Sequence, residues 1–294
     1  MGSISNLKTI AGAMSACFAI LILSERDSRA CTTFSFGSES HKLVAKNYDW
    51  DKEDAFVYVN KRGVQKKSLK VFASDKVLEW TSKYGSVTFN QYGRELPNAG
   101  MNEAGLVVEV MELSKSRFEQ GGTQPSVNES QWVQYMLDNA STVADVKTLA
   151  THIRVSKILV PLHYMTCDKS GACAALEYLN GRLVITDQGV ADAQVLTNDT
   201  YADSMAFLKG YDGFGGSRPA PGGDGSLERF VRAAMFSKSQ NDRDDSDMVN
   251  KGFEGLASVQ TPITKWTIIY DMHAQTIAFK SRSAAAIKTI RAGN

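Results

Sequence analysis

An apolar leader meets the rest of the chain at Ser28-Arg29-Ala30-Cys31-Thr32-Thr33-Phe34. Residues 6–29 have the pattern of a secretory signal, with one lysine near the start and an apolar run over 10–23. That run is too short for a stop-transfer helix. Ser28 and Ala30 are the small residues that signal peptidase accepts at positions −3 and −1. We therefore expect residues 1–30 to be removed and the protein to be exported, either to the periplasm or out of the cell.

The predicted cut makes Cys31 the first residue, so that a thiol and a free α-amino group lie on one residue. An α-amino group titrates near neutral pH, and its unprotonated fraction can take the thiol proton directly or through one water. The nucleophile would then carry its own general base. Two other interpretations of the cleavage site are a disulfide and simple burial of Cys31. A lipoprotein cysteine is disfavoured because Ser28 stands where a lipobox has Leu.

Length and charge restrict the class of protein. The chain has 294 residues and a formal net charge of +1, enough length for one large core or two small ones. Without an internal repeat or a low-complexity linker, we expect one domain over 31–294. The mixed charges argue against a nucleic-acid partner. Since no second long apolar run follows, we predict no stable membrane span after cleavage.

The cysteines after the leader are Cys31, Cys167 and Cys173. Residues 168–172 between the last two have the composition of a hairpin turn, and Cα distances across antiparallel pairs lie in the disulfide range. Two interpretations stay open. Cys167 and Cys173 form a disulfide and leave Cys31 free, or both are small buried residues that never pair.

The order of predicted elements is strands, helices, strands, helices and strands. The predicted strands cover 32–36, 43–45, 56–59, 86–90, 106–111, 162–166, 174–178, 183–185, 264–270 and 275–279. The predicted helices cover 130–139, a segment that opens at 142 with a capping box, 226–237 and 245–259. Residues 63–70 are predicted to be a basic connection and 96–105 a turn. This order favours an α+β fold in which helices cover two antiparallel sheets.

Motifs along the whole mature chain resemble those of the choloylglycine hydrolase and penicillin V acylase family of N-terminal nucleophile (Ntn) hydrolases. They are Cys31-Thr32-Thr33-Phe34, Lys46-Asn47-Tyr48-Asp49-Trp50, Trp80 to Val87, Gly100 to Leu106, Leu162-His163-Tyr164, Asp168 to Gly171, Glu177-Tyr178, Leu196-Thr197-Asn198, Arg229 to Arg232, Lys265-Trp266-Thr267 and Tyr270-Asp271. The resemblance implies an αββα sandwich, hydrolysis of a linear amide C–N bond in a small N-acyl substrate, and frequent assembly into homotetramers.

The resemblance also assigns roles to single residues. Cys31 attacks the amide carbonyl and forms a thioester, while its amine moves the proton. Asp49 holds that amine by a hydrogen bond. Asn198 donates to the oxyanion, and Arg229 lies over the nucleophile and favours the thiolate by its charge. Taken without the resemblance, Asp49, Asn198 and Arg229 would each be read as ordinary structural residues.

Two positions depart from the family pattern. Lys46 stands where the family usually has Arg; it keeps the charge but loses the planar set of donors. Glu112 stands where relatives carry Asn or Tyr near the oxyanion hole, and a carboxylate there would oppose a developing oxyanion unless it turned away or were protonated. Trp50 and Met111 are candidates for the wall of an acyl pocket, although a place in the core is the other interpretation.

We expect no metal or other cofactor, because the four histidines show no metal spacing. They are His41, His152, His163 and His273. The first functional hypothesis is an exported cysteine hydrolase of conjugated bile salts, phenoxyacetyl-type penicillins or N-acyl homoserine lactones. The alternative is a secreted, non-catalytic binding protein on the same fold. A papain-like enzyme with a histidine base is disfavoured because no histidine pairs with a cysteine in the sequence pattern.

Overall fold

The computed structural model describes residues 30–38, 40–119, 121–189, 193–240 and 247–293. The predicted leader lies outside this range, apart from Ala30. The strands are β1 (Thr32–Ser38), β2 (His41–Asp49), β3 (Phe56–Asn60), β4 (Gln65–Lys67), β5 (Lys76–Val77), β6 (Glu79–Thr81), β7 (Ser86–Asn90), β8 (Pro97–Asn102), β9 (Val107–Glu112), β10 (Pro125–Val127), β11 (Arg154–Val155), β12 (Leu162–Cys167), β13 (Cys173–Leu179), β14 (Arg182–Gln188), β15 (Val195–Leu196), β16 (Thr264–Asp271), β17 (Thr276–Ser281) and β18 (Lys288–Arg291). The helices are α1 (Glu129–Asn139), α2 (Val143–Ala150), α3 (Tyr201–Leu208), α4 (Ser226–Ser239) and α5 (Met248–Ser258).

Two antiparallel sheets form the centre of the fold. One has the strand order β15-β1-β2-β16-β17-β18, and the other has the order β14-β13-β12-β9-β8-β7-β3. Helices α4 and α5 pack on the first sheet, and α1 and α2 pack on the second. The predicted architecture, two antiparallel sheets with helices outside them, is therefore confirmed. That residues 31–294 form a single domain stays a prediction.

The alternation of side chains along β1 decides which residues reach the space between the sheets. Phe34 and Phe36 point outward and contact Phe236 of α4, with ring centroids 5.5 and 5.8 Å apart. Full burial of such a ring contributes roughly 1.5–3 kcal/mol. Since alternate residues face opposite sides of a strand, Cys31 and Thr33 point inward, where the Thr33 hydroxyl lies 3.2 Å from the sulfur of Met111 on the other sheet.

Strand pairing extends this inner face to β2. Thr33 lies opposite Lys46 in the β1–β2 register, so Lys46 shares its side of the sheet. Tyr48, two residues on, lies opposite Trp266 of β16 and stacks on its ring at 4.9 Å. One face thus carries Cys31, Lys46 and an aromatic wall toward the second sheet, where the ring of Phe89 meets that of Trp266 at 6.2 Å.

The segment predicted as a turn over 96–105 contains strand β8, so this prediction is wrong. Turn-forming residues occupy the strand because neighbouring elements pack closely against them or accept their hydrogen bonds. Gly100 has no room for a side chain, since a Cβ would lie 2.7 Å from the Val87 carbonyl oxygen and 2.8 Å from Leu137 of α1. Asn102 donates to the carbonyls of Leu137 and Ala140 at 2.9 and 2.7 Å and so closes the end of α1.

Other differences are smaller. Strand β4 interrupts the connection predicted over 63–70, helix α3 was not predicted, and β1 and β2 run further than expected because they lie inside a sheet rather than in an isolated hairpin. The capping box at the start of α2 is confirmed, since Thr142 and Asp145 satisfy each other's backbone N–H groups. Cys167 and Cys173 lie opposite each other and form a disulfide, which decides between the two interpretations of this pair. In the described part of the chain, no helix is long and apolar enough to cross a membrane.

Candidate active site

Cys31 lies at the entrance to β1 and is the free cysteine of the described residues. Its side chain is buried, and its sulfur lies 3.8 Å from the Asp49 carbonyl oxygen. Burial raises the pKa of the thiol, while the Lys46 ammonium acts in the opposite direction. In this form Cys31 follows Ala30 through a peptide bond, so the thiol is a weak nucleophile until something takes its proton.

Asp49 ends β2 next to the start of β1. Its Oδ1 accepts a hydrogen bond from the Thr264 hydroxyl at 2.5 Å, whereas its buried Oδ2 makes no hydrogen bond of good geometry to a described residue. Burial raises the pKa of Asp49 to about 6, against the influence of the Thr264 hydroxyl and the Arg229 charge. A carboxylate oxygen without a partner is costly inside a protein. That Asp49 holds the amine of Cys31 stays a prediction.

Arg229 projects from the first turn of α4 and is completely buried. Its Nη1 donates to the carbonyl oxygens of Ala30 and Cys31, the latter at 2.8 Å, and to the Thr32 hydroxyl at 2.5 Å. Its Nε donates to the Asp224 carbonyl at 3.0 Å. Burial lowers the pKa of this guanidinium from its ordinary value. Arg229 therefore clamps the backbone on both sides of the Ala30–Cys31 bond.

Asn198 follows β15 and lies between Arg229 and the end of β9. Its Oδ1 accepts from Arg229 Nη2 at 3.0 Å, and its Nδ2 donates to the Glu112 carbonyl at 2.9 Å. Its backbone N–H donates to the Ser226 hydroxyl at 2.9 Å. An amide NH2 carries two hydrogens, so one of them stays available for an oxyanion. The role in the oxyanion hole is still a prediction.

Lys46 is buried between the two sheets. Its Nζ donates to the Val110 carbonyl at 2.6 Å and lies 3.2 Å from Oε2 of Glu109, which is also fully buried. It contacts the Met111 sulfur at 3.1 Å as well. Burial raises the pKa of Glu109, and the Lys46 charge acts against that rise. Lys46 acts on Cys31 as a nearby positive charge, held in place by a carboxylate on the opposite sheet.

A narrow cavity opens at Cys31. Its lining combines aromatic, aliphatic and polar side chains: Cys31, Tyr48, Trp50, Tyr92, Asn98, Val110, Glu112, Glu129, Ser130, Leu159, Val160 and Leu162. Trp50 and Glu112 thus lie where substrate binding was predicted. The Met111 side chain is turned away, toward Thr33 and Lys46, and does not line this cavity. That Trp50, Met111 and Glu112 bind substrate stays a prediction.

Two carboxylates near the site were not predicted from the sequence. Glu129 begins α1 and accepts the backbone N–H groups of Ile158, Leu159 and Val160 at 2.8, 2.5 and 3.1 Å. It thereby fixes one wall of the cavity. Glu109 interrupts an apolar strand, which is the sequence signal that could have identified a buried ion pair.

The buried side chain of His163 holds the backbone next to Asn198. His163 lies with Nε2 2.8 Å from the Thr197 carbonyl oxygen and with Nδ1 3.1 Å from Oε1 of Glu177. Since a carbonyl can only accept, Nε2 carries a proton. The His163–Glu177 pair thus fixes the residue before Asn198. Among the described residues, no group of three His, Cys, Asp or Glu side chains could hold a metal ion.

Comparisons with known proteins agree with this geometry. The model of linear amide C–N hydrolases, choloylglycine hydrolase family, matches residues 31–289. A penicillin V acylase of Pectobacterium atrosepticum is 31% identical over 242 residues, and the match covers 75% of this chain but only 63% of that protein. The structure of penicillin V acylase from Agrobacterium tumefaciens has a TM-score of 0.77 and 27% identity, and covers 89% of this chain and 86% of its own. A variant of conjugated bile acid hydrolase from Clostridium perfringens shares the fold, with a TM-score of 0.72, 17% identity, and coverage of 89% and 92%.

Proposed function

Because this chain belongs to the choloylglycine hydrolase family of linear amide C–N hydrolases, we propose that it is an exported hydrolase that cleaves an N-acyl amide through a thioester on Cys31. The observation that carries the proposal is the arrangement around Cys31: its free thiol lines a cavity and contacts the backbone of Asp49, and Arg229 joins the Cys31 carbonyl to Asn198. These are the groups that acyl transfer needs: a nucleophile, a group to hold its base, and a donor to the oxyanion.

The proposed reaction begins after removal of Ala30, when the new α-amine takes the thiol proton. The sulfur attacks the amide carbon, a C–S bond forms, and the carbonyl oxygen takes the electron pair and accepts a hydrogen bond from Asn198 Nδ2. Collapse breaks the C–N bond, and the leaving amine receives the proton from the α-ammonium group. Water, deprotonated by the same amine, then hydrolyses the thioester and releases the carboxylic acid.

Two features support removal of the leader. The family match begins at Cys31, the residue that the predicted cut would expose. Asp49 Oδ2, buried near the chain at Cys31, has no hydrogen bond of good geometry in the described residues, and a free α-ammonium group would supply its missing donor. Export to the periplasm or the cell exterior belongs to this proposal, as does assembly into a homotetramer. Cell fractionation tests the first and light scattering on a sizing column the second.

The test of the proposal starts with the intact mass of the exported protein, which should begin at Cys31. Release of free amine is then followed with three amides: a phenoxyacetyl penicillin, a conjugated bile salt and an N-acyl homoserine lactone. We expect turnover of at least one amide, and its loss in Cys31→Ala. Amide turnover by a form that keeps a residue before Cys31 would contradict the mechanism. Binding without any amine release would favour the non-catalytic binding protein.

A further inference from the structure

The peptide group between Thr197 and Asn198 is held on both sides. Its carbonyl oxygen lies 2.8 Å from Nε2 of His163, and its N–H donates to the Ser226 hydroxyl at 2.9 Å. The Ser226 hydroxyl in turn donates to the hydroxyl of Thr197 at 3.0 Å. His163 and Thr197 are completely buried, so water cannot replace a partner that is lost. The backbone that carries the predicted oxyanion donor is therefore held in one position.

His163 reaches this peptide group from the second sheet. It lies on β12, one residue before Tyr164, which pairs with Leu176 of β13, and this register places Glu177 beside it. Thr197 directly follows β15, the edge strand of the first sheet. The hydrogen bond between His163 and the Thr197 carbonyl therefore joins the two sheets at the residue before Asn198.

Glu177 keeps the His163 ring in the orientation that this hydrogen bond needs. Its Oε1 lies 3.1 Å from Nδ1 of the ring and also accepts the backbone N–H of Tyr201 at 3.1 Å. Nε2 faces a carbonyl, which can only accept, so Nε2 carries a hydrogen whether the proton shared by the pair lies on Nδ1 or on the carboxyl group. The hydrogen bond to Thr197 is thus kept in either protonation state of the pair.

We propose that His163 is a positioning residue of the reaction, which sets the distance between Asn198 Nδ2 and the oxyanion through the Thr197–Asn198 peptide group. The inference rests on the proposed function, in which Asn198 is the oxyanion donor. His163 is not one of the described residues that line the cavity, so it acts through the backbone and not by contact with substrate. An oxyanion donor works at about 2.7–3.1 Å, and a displacement of about 1 Å can lower a rate by about 10². Loss of the Nε2 donor should therefore lower kcat although Asn198 itself is intact.

The test compares two substitutions of His163 in the processed protein, on the best of the three amides. His163→Phe keeps a ring but has no donor, whereas the glutamine of His163→Gln has an N–H that can donate to the Thr197 carbonyl. We expect His163→Phe to lower kcat about 10- to 100-fold and to change KM less than about threefold, because the oxyanion exists only beyond the ground state. His163→Gln should keep kcat within about fivefold of the wild type. Equal losses in the two variants would overturn the inference.

A double-mutant cycle determines whether His163 acts through Asn198. In the Asn198→Ala background, His163→Phe should lower kcat by less than about a further twofold, since the donor that His163 positions is already absent. If the loss in this background is as large as in the wild type, the two residues act independently and the inference is wrong.

Thr166→Val is the matched control for the loss of a buried hydrogen bond on the same strand. Thr166 is completely buried on β12 and donates to the Val107 carbonyl at 3.0 Å. This variant should lower the midpoint of urea unfolding and leave kcat within about twofold of the wild type. A loss of kcat in Thr166→Val as large as in His163→Phe would reduce the role of His163 to stability and so overturn the inference.

Ser226→Ala keeps the test possible if His163→Phe does not fold. It removes the acceptor of the Asn198 N–H, at the other end of the same peptide group. We expect kcat to fall with little change in KM, and this effect to disappear in the Asn198→Ala background. An unchanged kcat in folded Ser226→Ala would overturn the inference. Cleavage of none of the three amides by the processed wild type would instead overturn the proposed function.

Discussion

Arg229 donates from Nη2 to the side-chain oxygen of Asn198 at 3.0 Å. This contact fixes the amide of Asn198 in one orientation, because a guanidinium can only donate and therefore requires the oxygen on its side. The Nδ2 group is consequently directed toward the end of β9, where it donates to the Glu112 carbonyl. The pair converts a flexible amide into an oriented donor before any substrate arrives, and such preorganisation is what stabilises a developing oxyanion.

Asn198→Ala is expected to lower kcat by about 10²–10³ with a much smaller change in KM, because an oxyanion donor acts mainly in the transition state. Asn198→Asp should lose as much, since it keeps the shape but has no N–H. Steady-state kinetics on the best amide measures both. Asn139→Ala, at the end of α1 away from the cavity, serves as the control. A loss below tenfold in Asn198→Ala would remove this residue from the oxyanion hole.

The buried carboxyl of Asp49 should make the stability of the unprocessed chain, which still carries Ala30, depend on pH. Its folded-state pKa of about 6 lies above the ordinary aspartate value, so the folded state binds more protons between these two values. The free energy of unfolding should therefore fall as pH rises from about 4 to about 6, by about 3 kcal/mol in total, and this loss is complete above pH 6.

Urea unfolding between pH 4 and pH 7 measures this effect in protein expressed without export. The informative quantity is the difference between that protein and its Asp49→Asn variant, since other groups titrate in both. In the processed protein the new α-ammonium group should stabilise the ionised carboxylate and reduce the loss. Equal pH dependence in the parent and in Asp49→Asn would contradict the assignment.

Variants of the ion pair between Lys46 and Glu109 should separate its contribution to stability from the effect of the Lys46 charge on catalysis. Lys46→Met leaves the Glu109 carboxylate buried without its partner, which typically costs about 3–5 kcal/mol. The double variant Lys46→Met, Glu109→Gln should regain most of that stability. Both variants lack the positive charge that lowers the pKa of Cys31. In both, the rise of kcat/KM with pH should therefore be displaced to higher pH than in the wild type.

Chemical denaturation and pH–rate profiles of the two variants provide the measurements. Recovery of both stability and the wild-type pH profile in the double variant would show that Lys46 acts only in packing. Persistence of the displaced profile in a stable protein would establish Lys46 as a positioning charge for the nucleophile.

Glu129→Gln should loosen the wall of the cavity. The glutamine side chain offers one acceptor oxygen where Glu129 uses two, so at least one N–H among Ile158, Leu159 and Val160 loses its partner, at a cost of about 1–3 kcal/mol. We expect KM to rise more than kcat falls, because we expect the wall to contact the substrate and not the reacting atoms. Equal losses in kcat and kcat/KM would instead give Glu129 a role in the transition state.

The sequence predicts those parts of the site that lie near Cys31 along the chain or in strand register. The β1–β2 hairpin returns the chain beside Cys31 and so brings Lys46 and Asp49 near it, and the strand-and-helix order predicts the layers. Contacts that depend on packing between distant parts of the chain could not be predicted from the sequence. Nothing in the local sequence indicates that Glu129 would hold a loop 29 to 31 residues away, or that Gly100 serves a strand because Leu137 packs over it.

The disulfide between Cys167 and Cys173 has a practical consequence. Cys31 is the remaining thiol among the described residues, and Cys17 lies in the predicted leader. Alkylation of the denatured, unreduced protein followed by mass spectrometry should therefore add one label to a processed molecule and two to an unprocessed one. The ratio of singly to doubly labelled protein then gives the fraction of molecules that carry an amino-terminal sulfur nucleophile. That fraction gives the concentration of competent enzyme, by which every turnover number should be normalised.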